Sequence, residues 1–318
     1  MNVVGFDVSK NSLSGTRIDR SGKIKQHVDM LNIKGAILPV LSDLNKHYRH
    51  LLVAAEATGD YHRPLAEACL ELGIEFSLLN PITSKRYRRT TVRKQKTDIT
   101  DSEAIARVAM QGEGTVLTND LLNPLKPILR ASNKFTEMVS ALKLVEQHLA
   151  NLPIEKPNLL KGLLGCRVQL LAASATFRDD ATSGCDQKVL SLLKSIPGIG
   201  DNLATTILLE IGDIYRFTGP KQLTAFAGLD PKVMQSGTTL NRYGHLTKRG
   251  SPYLRRALYI AATIAKRHDP VMQATYEKKR TEGKRYKEAM MVVSRKLLRV
   301  IYAVWVHAKP YQIQKLDF

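Results

Sequence analysis

At 318 residues with 43% apolar content, the chain can bury sizeable cores, which excludes a disordered polypeptide and leaves room for two domains or more. Its 48 Lys and Arg outnumber 29 Asp and Glu, and the net charge of +19 points to a nucleic-acid partner in preference to an anionic membrane surface. Cys69, Cys166 and Cys185 lack paired spacing, so no disulfide frame or zinc knuckle is expected and a reducing cytoplasm fits; no apolar run approaches the ~18 residues of a membrane span.

Residues 2–10 read as a strand in which Asp7 interrupts a buried pattern of Val3, Val4, Phe6 and Val8. A carboxylate in that setting needs a cation or a basic partner. The opening residues run straight into this strand, so no signal peptide is expected. A turn at 11–15, a return strand near 16–19, a turn at Ser21-Gly22 and a third strand at 25–30 follow. Helical spacing marks 33–47. A second apolar strand ends in Glu56, ahead of Thr58 and Gly59. Residues 61–72 are helical with Gly73 as C-cap, and 74–79 form a further strand. The basic run Lys85, Arg86, Arg88, Arg89, Arg93, Lys94 and Lys96 then leads to Asp98 and Asp101, at the start of a helix marked by Ile105, Val108 and Ala109. Either Asp98 caps this helix, or Thr100 does and Glu103 closes a capping box. The two acids either complement the helix dipole or join the basic wall in a phosphate-handling metal site. The order β-β-β-α-β-α-β-α makes an α/β unit with Asp7 and Glu56 at strand ends, where such sheets place their sites. Four carboxylates in one cleft require divalent cations, and two such ions are suited to in-line phosphodiester cleavage.

From residue 121 the pattern turns helical, with Pro124 and Pro127 at the boundary. Ile128, Ala131, Phe135, Met138, Leu142, Val145 and Leu149 form a heptad seam. A second helix at 160–177 makes this either an antiparallel pair or a self-association element. Residues 189–217 read as helix, Pro-Gly-Ile-Gly, helix, the helix-hairpin-helix pattern. Gly198 and Gly200 either open backbone N–H groups to a phosphate or simply shape a tight turn. A short helix at 221–229 is followed by a polar turn at 230–239 that holds Ser236 and Gly237. Downstream, Arg242, His245, Lys248, Arg249, Arg255 and Arg256 could surround a phosphate. After a helix at 253–267, Lys278, Lys279 and Arg280 open a very basic stretch read as a phosphate-contacting loop or helix start, and 289–307 is an apolar helix with Trp305 in its core. Residues 221–318 hold 20 Lys and Arg against 6 Asp and Glu, so 14 of the 19 surplus charges fall there.

Taken together, Gly5-Phe6-Asp7-Val8-Ser9-Lys10, Ala55-Glu56-Ala57-Thr58-Gly59, Lys96-Thr97-Asp98-Ile99-Thr100-Asp101, Ile196-Pro197-Gly198-Ile199-Gly200, Phe226-Ala227-Gly228-Leu229-Asp230-Pro231, Gln235-Ser236-Gly237 and His245-Leu246-Thr247-Lys248-Arg249-Gly250 resemble, from end to end, the insertion-sequence 110 family of transposases, related to the Piv and MooV DNA invertases. The resemblance implies a RuvC/RNase H-like catalytic domain at 1–120, whose DEDD acids are Asp7, Glu56, Asp98 and Asp101. It implies a coiled-coil segment at 121–188 and a basic, mainly helical transposase domain at 189–318 with Ser236 as nucleophile. It further implies Mg2+, or Mn2+ in its place, at the acids, donor and target DNA, a structured bridge RNA as guide, a homo-oligomer (dimer or tetramer) and a bacterial cytoplasmic setting. The competing readings are a RuvC-like nuclease that uses metal-activated water, an RNA-independent DNA invertase, and a nucleic-acid scaffold whose acids are structural.

Overall fold

The opening apolar run forms strand β1 (Asn2–Val8) in a computed structural model that describes residues 1–48, 50–57, 59–90, 97–117, 123–152, 157–235, 241–247 and 250–313, with backbone alone at 82, 88–90, 157, 232–235 and 241–245. The chain divides into two units, Met1–Leu122 and Asn123–Phe318. In the first, β2 (Ser12–Ile18) and β3 (Ile24–Leu31) extend from β1 as an antiparallel meander. On the other side of β1, β4 (Leu51–Glu56) and β5 (Glu75–Leu79) run parallel to it, and β6 (Thr115–Val116) closes the edge antiparallel to β5. The order is β3-β2-β1-β4-β5-β6, a mixed sheet in which β1 lies between the antiparallel and the parallel strands.

Period-2 alternation assigns the faces. Phe6, Val53 and Phe76 join Ile37 and Leu41 of α1 (Lys34–His47) and Leu65 of α2 (Arg63–Glu71) in one core. Val3, Leu52 and Ala54 join Ile105, Ala106 and Val108 of α4 (Asp98–Met110) on the opposite face. Helix α3 (Pro81–Thr90), carrying the first part of the basic run, lies alongside α4. Two expectations are corrected. The turn after β1 is tighter than 11–15, closed by Ser9 N–H donating to the Ser12 carbonyl at 3.0 Å. Gly15 belongs to strand β2, where the Phe6 ring occupies the space a side chain would need: a Cβ there would sit 2.8 Å from Phe6 Cδ1.

The second unit is helical, with α5 (Leu125–Ala150), α6 (Pro157–Ser183), α7 (Gln187–Lys194), α8 (Asp201–Ile211), α9 (Pro220–Phe226), α10 (Pro252–His268), α11 (Pro270–Thr281) and α12 (Tyr286–His307). Its core gathers Leu193, Ile207, Leu258, Leu298 and Ile301, with Trp305 at the margin. The polar turn expected at 230–239 is instead partly strand: β7 (Pro231–Gln235) pairs antiparallel with β8 (Asn241–Leu246), and Asp230 accepts from Thr247 at the base of this hairpin. The basic 278–287 stretch is the last turn of α11, the turn beyond it and the start of α12. Helices α5 and α6 pack antiparallel, joined by Ser132 Oγ donating to the Ser174 carbonyl (2.7 Å), the Phe135–Phe177 ring pair and the Arg167–Glu146 ion pair. The buried line runs through Leu129, Ser132 and Val139, one residue off the heptad seam, because small hydroxyl residues let the backbones approach and bond. Met138 and Val145 of the seam are each 46% exposed. Among the described residues, no helix is long and apolar enough to cross a membrane.

A buried carboxylate fixes α5 to α8. Glu210, 1% exposed, accepts from Arg130 Nε at 2.8 Å and Arg130 Nη2 at 3.1 Å, with Lys126 Nζ at 3.5 Å. Burial alone would raise this carboxyl; Arg130 and Lys126 outweigh it and hold it below its usual 4.5. Lys126 is itself pushed down, by burial first and then by Arg130, so Arg130 carries the pairing. We expect Glu210→Ala to cost about 1–3 kcal/mol in denaturant unfolding, because it leaves the part-exposed Arg130 and the more buried Lys126 without their partner, and Lys126→Met to cost less. A carboxyl lowered by folding stabilises above its unfolded pKa and loses that contribution as pH falls through the folded value. The wild-type unfolding midpoint should therefore drop more steeply than that of Glu210→Ala below pH 4.5.

Candidate active site

Parallel pairing of β1 with β4, in which Phe6 lies opposite Ala55, brings Asp7 and Glu56 to the carboxyl edge of neighbouring strands. Alternation puts both on the α4 face, in line with Val3 and Ala54. Asp7 is half-buried and Glu56 only 9% exposed. Helix α4 reaches this edge because Gly5 has no side chain. A Cβ at Gly5 would lie 2.5 Å from the Ser102 carbonyl oxygen and 2.8 Å from Ala106 Cα, and closer still to the Ala106 nitrogen. Ser102 and Thr16 of β2 share a buried 2.7 Å hydroxyl bond across the same contact. Farther along α4, the Arg107 guanidinium lies beside Gly22 in the β2–β3 turn, at the amino end of β1. The opposite end of the helix, with Asp98 and Asp101, therefore points to the carboxyl edge.

The cap of α4 differs from both expected forms. Thr97 is the N-cap: its hydroxyl accepts from Thr100 N–H (3.2 Å), while Thr100 Oγ1 accepts from Thr97 N–H (3.0 Å). Hydroxyls thus do the capping that was assigned to Asp98 or to Thr100 and Glu103, and Glu103 pairs with Arg107 at 2.8 Å instead. Neither aspartate is used as the cap. Asp98 is exposed and Asp101 is 5% exposed, facing the sheet in a first turn where the helix dipole favours negative charge. The sequence signal, Thr-x-x-Thr, was present but resembles no Ser/Thr-x-x-Glu box.

These four acids are the right donors for a hard divalent cation, which takes carboxylate oxygens. Sheet register and helix direction bring them to one edge. The side chains themselves are not drawn together: among the described residues, no three His, Cys, Asp or Glu form a group able to hold an ion. Asp7, Glu56 and Asp101 each engage another polar or charged partner. Beside them, Lys85 and Arg86 of α3 are exposed to solvent, a cationic flank on the helix that packs against α4. Arg88 and Arg89 belong to the same helix, while Arg93 and Lys94 lie outside the described residues.

In the second unit, Ser236 lies outside the described residues, in the connection between β7 and β8, and Lys248 and Arg249 are likewise outside them. Arg242 stands on β8 opposite Met234. The two glycines of the hairpin separate in role. Gly198, at φ +89, faces α10, where a Cβ would meet Ala265 N at 2.8 Å and the Ala261 carbonyl closer still, so packing accounts for it. Gly200 caps α8 in open space, but the Lys194–Asp201 ion pair (2.8 Å) stands at that helix start. Arg255 donates to the Gly250 and Ala227 carbonyls, which turns this expected phosphate ligand inward. In the last turn of α11, Lys278 is exposed, Lys279 pairs with Glu282 (2.6 Å), and Arg280 donates to the Lys284 carbonyl (2.8 Å).

The chain thus joins a mixed sheet with acids at its carboxyl edge to a basic helical unit. Two family models match the chain: a transposase model of the IS110 DEDD type over residues 4–151, and the transposase IS116/IS110/IS902 family over residues 190–277. The chain belongs to this IS110 family of transposases and recombinases. It is 26% identical to the pilin gene-inverting protein of Moraxella bovis over 97% of each chain. It is 24% identical to the transposase for insertion sequence element IS1111A of Coxiella burnetii, over 84% of this chain and 78% of that one. Among solved structures, Thermus thermophilus RuvC aligns with 37% of this chain and 100% of its own at 15% identity and a TM-score of 0.30.

The Gly5 contact generates a stability test. We expect Gly5→Ala to cost about 1–3 kcal/mol by overpacking backbone against backbone, and Thr97→Ala about 1 kcal/mol through the lost cap. Gly35→Ala, in a helix with nothing within 4 Å, should instead raise stability by roughly 0.4–1 kcal/mol. Denaturant midpoints of the three variants check this ordering.

Proposed function

We propose that the chain is a site-specific DNA recombinase that cuts and rejoins strands by phosphoryl transfer, with Asp7, Glu56, Asp98 and Asp101 at the reacting phosphate and Ser236 as nucleophile. The observation that supports this reading is that strand register and helix direction turn four acid positions towards one sheet edge, beside a cationic helix, in a chain of a transposase family. Mg2+, or Mn2+ in its place, bound by these carboxylates would supply Lewis-acid stabilisation of charge on the phosphate oxygens. Ser236 Oγ forms a bond to phosphorus as the bond from phosphorus to a deoxyribose oxygen breaks, and the hydroxyl proton ends on the released deoxyribose hydroxyl. The phosphoserine link keeps the bond energy, so a second strand's hydroxyl can attack it and regenerate the serine. Lys85 and Arg86 offer positive charge where the phosphate enters, and Arg242, Lys248 and Arg249 belong to the same segment as the nucleophile.

Sequence choice is assigned to a structured guide RNA. The chain has no zinc-finger or basic-zipper reader, and a paired RNA would leave the protein to bind duplex shape and backbone. Association of copies through the outward residues Met138 and Val145 of α5 would bring several sites to one synapse. A second reading, RNA-independent inversion, is favoured by the match to a pilin gene-inverting protein over 97% of the chain.

Asp98→Ala/Asp101→Ala should abolish cleavage in Mg2+ and leave nucleic-acid binding intact, as read by gel assays of both. Ser236→Ala should lose every covalent product while stability moves by only about ±0.5 kcal/mol. On a nicked suicide substrate, proteolysis of the wild-type reaction should release a phosphopeptide containing Ser236. A cleaved strand without peptide means that water attacks and the nuclease reading wins. Protein freed of RNA by ribonuclease should lose site choice; recombination at one site by such protein would establish the invertase reading.

A further inference from the structure

Helices α11 and α12 line an open cavity of about 640 Å³, none of whose lining residues belongs to the carboxylate edge or the β7–β8 hairpin. Arg295, Lys296 and Arg299 line it from α12, and Lys279 and Lys284 from α11 and the turn after it. No carboxylate is among its lining residues, although the lining Lys279 pairs with Glu282 at 2.6 Å. Lys296 donates to Thr275 Oγ1 at 2.9 Å, which orients its ammonium. The Arg295 Nε is buried and, among the described residues, has no hydrogen-bond partner. Burial first, and then Arg299, push this guanidinium below its ordinary range. Arg295 and Arg299 stand one helical turn apart, a like-charge spacing that weakens a helix. An arrangement that costs stability, leaves a buried donor unused and excludes acids suits an anion. Apolar Val292, Val300 and Ala303 share the lining and could meet sugar rings. Exposed Lys278 and Arg280 continue the positive surface along α11, which fits a run of phosphates better than a single ion.

We propose that the α11–α12 cavity docks consecutive backbone phosphates of a nucleic-acid strand, held by Arg295, Lys296, Arg299, Lys279 and Lys284. This rests on the recombinase reading for the nature of the partner. Phosphate contacts position a strand without reading its sequence, so the cavity sets affinity and register while target choice stays elsewhere.

The test uses the full chain and the double variant Arg295→Gln/Arg299→Gln, titrated over a range of salt against a duplex DNA and a single-stranded RNA. A second double variant, Lys221→Gln/Lys309→Gln, removes the same charge at exposed positions away from the cavity. The cavity variant should bind at least tenfold more weakly. Its slope of log affinity against log salt should shrink by about 1.8 for the duplex or about 1.4 for the single strand, which is two phosphate contacts. The nucleic acid whose slope changes is the one that docks. The thermal midpoint should hold or rise, since like charges are removed, and Arg295→Lys/Arg299→Lys should recover most of the slope. A slope equal to wild type, or to that of the second variant, overturns the proposal. So does a gain in midpoint with inorganic phosphate, seen in wild type alone and without a slope change, which would make this a small-anion site. If wild type binds and cuts while the cavity variant binds equally well, only the cavity falls; wild type that binds no nucleic acid takes the recombinase reading with it.

Discussion

The contact on which the first unit depends is backbone against backbone. Helix α4 lies on β1 at Gly5 so closely that the Ser102 carbonyl would be 2.5 Å from any Cβ. Protein interiors transmit such constraints because they are close-packed. Moving α4 outward by the width of a methyl would break the Thr16–Ser102 hydroxyl bond and loosen Ala106 from Val3 and Ala54. It would also carry the first turn of α4, and with it Asp98 and Asp101, away from the edge where β1 and β4 deliver Asp7 and Glu56. The glycine is therefore as much part of the acid constellation as the acids, though it carries no chemistry.

The second unit solves a different problem with a different interaction. A long hairpin such as α5–α6 leaves most of its length exposed, and only its base can be anchored by the core. The Glu210–Arg130 pair supplies that anchor, with two hydrogen bonds on a carboxylate that is 1% exposed. Removing Arg130 would leave the Glu210 carboxylate buried with only Lys126 nearby, so the pair fixes an arrangement more reliably than it adds net stability. Beyond this anchor the hairpin is held by the small hydroxyls Ser132, Thr136 and Ser174, a polar seam that orients without a deep apolar lock.

Periodicity made the sheet legible, because β1, β4 and β5 are apolar runs that end in turn residues, and α1, α4 and α12 carry apolar residues on one face. The edge positions of Asp7 and Glu56 were legible for a related reason, since each stands at the end of an apolar strand, whereas Asp98 and Asp101 stand out as acids at a helix start behind a basic run. What the sequence concealed were long-range roles of small or charged residues. Gly198 reads as a phosphate-approach glycine until α10 is seen against it. Arg255 reads as a cationic ligand until its guanidinium is found on two carbonyls. Strand β7 was concealed because turn formers flank it, Asp230 and Pro231 at its start and Ser236 and Gly237 beyond its end, and its pairing depends on β8. The true cap of α4 was missed by one residue, since threonine at both ends of the box imitates neither common form.

The charge distribution suits the proposed meeting of a phosphate backbone with the carboxylate edge. Residues 1–122 hold 17 Lys and Arg against 14 Asp and Glu, and seven of those cations fall within 85–96. Without that stretch the unit would be net negative and would repel a phosphate backbone from the very acids meant to meet it. Residues 123–318 hold 31 cations against 15 acids. Attraction of a polyanion is thus concentrated in the second unit and in one basic stretch of the first. On the proposed reading, cations on a flanking helix would meet the phosphate while the carboxylates bind a divalent ion, so the two charges serve the same strand without cancelling each other.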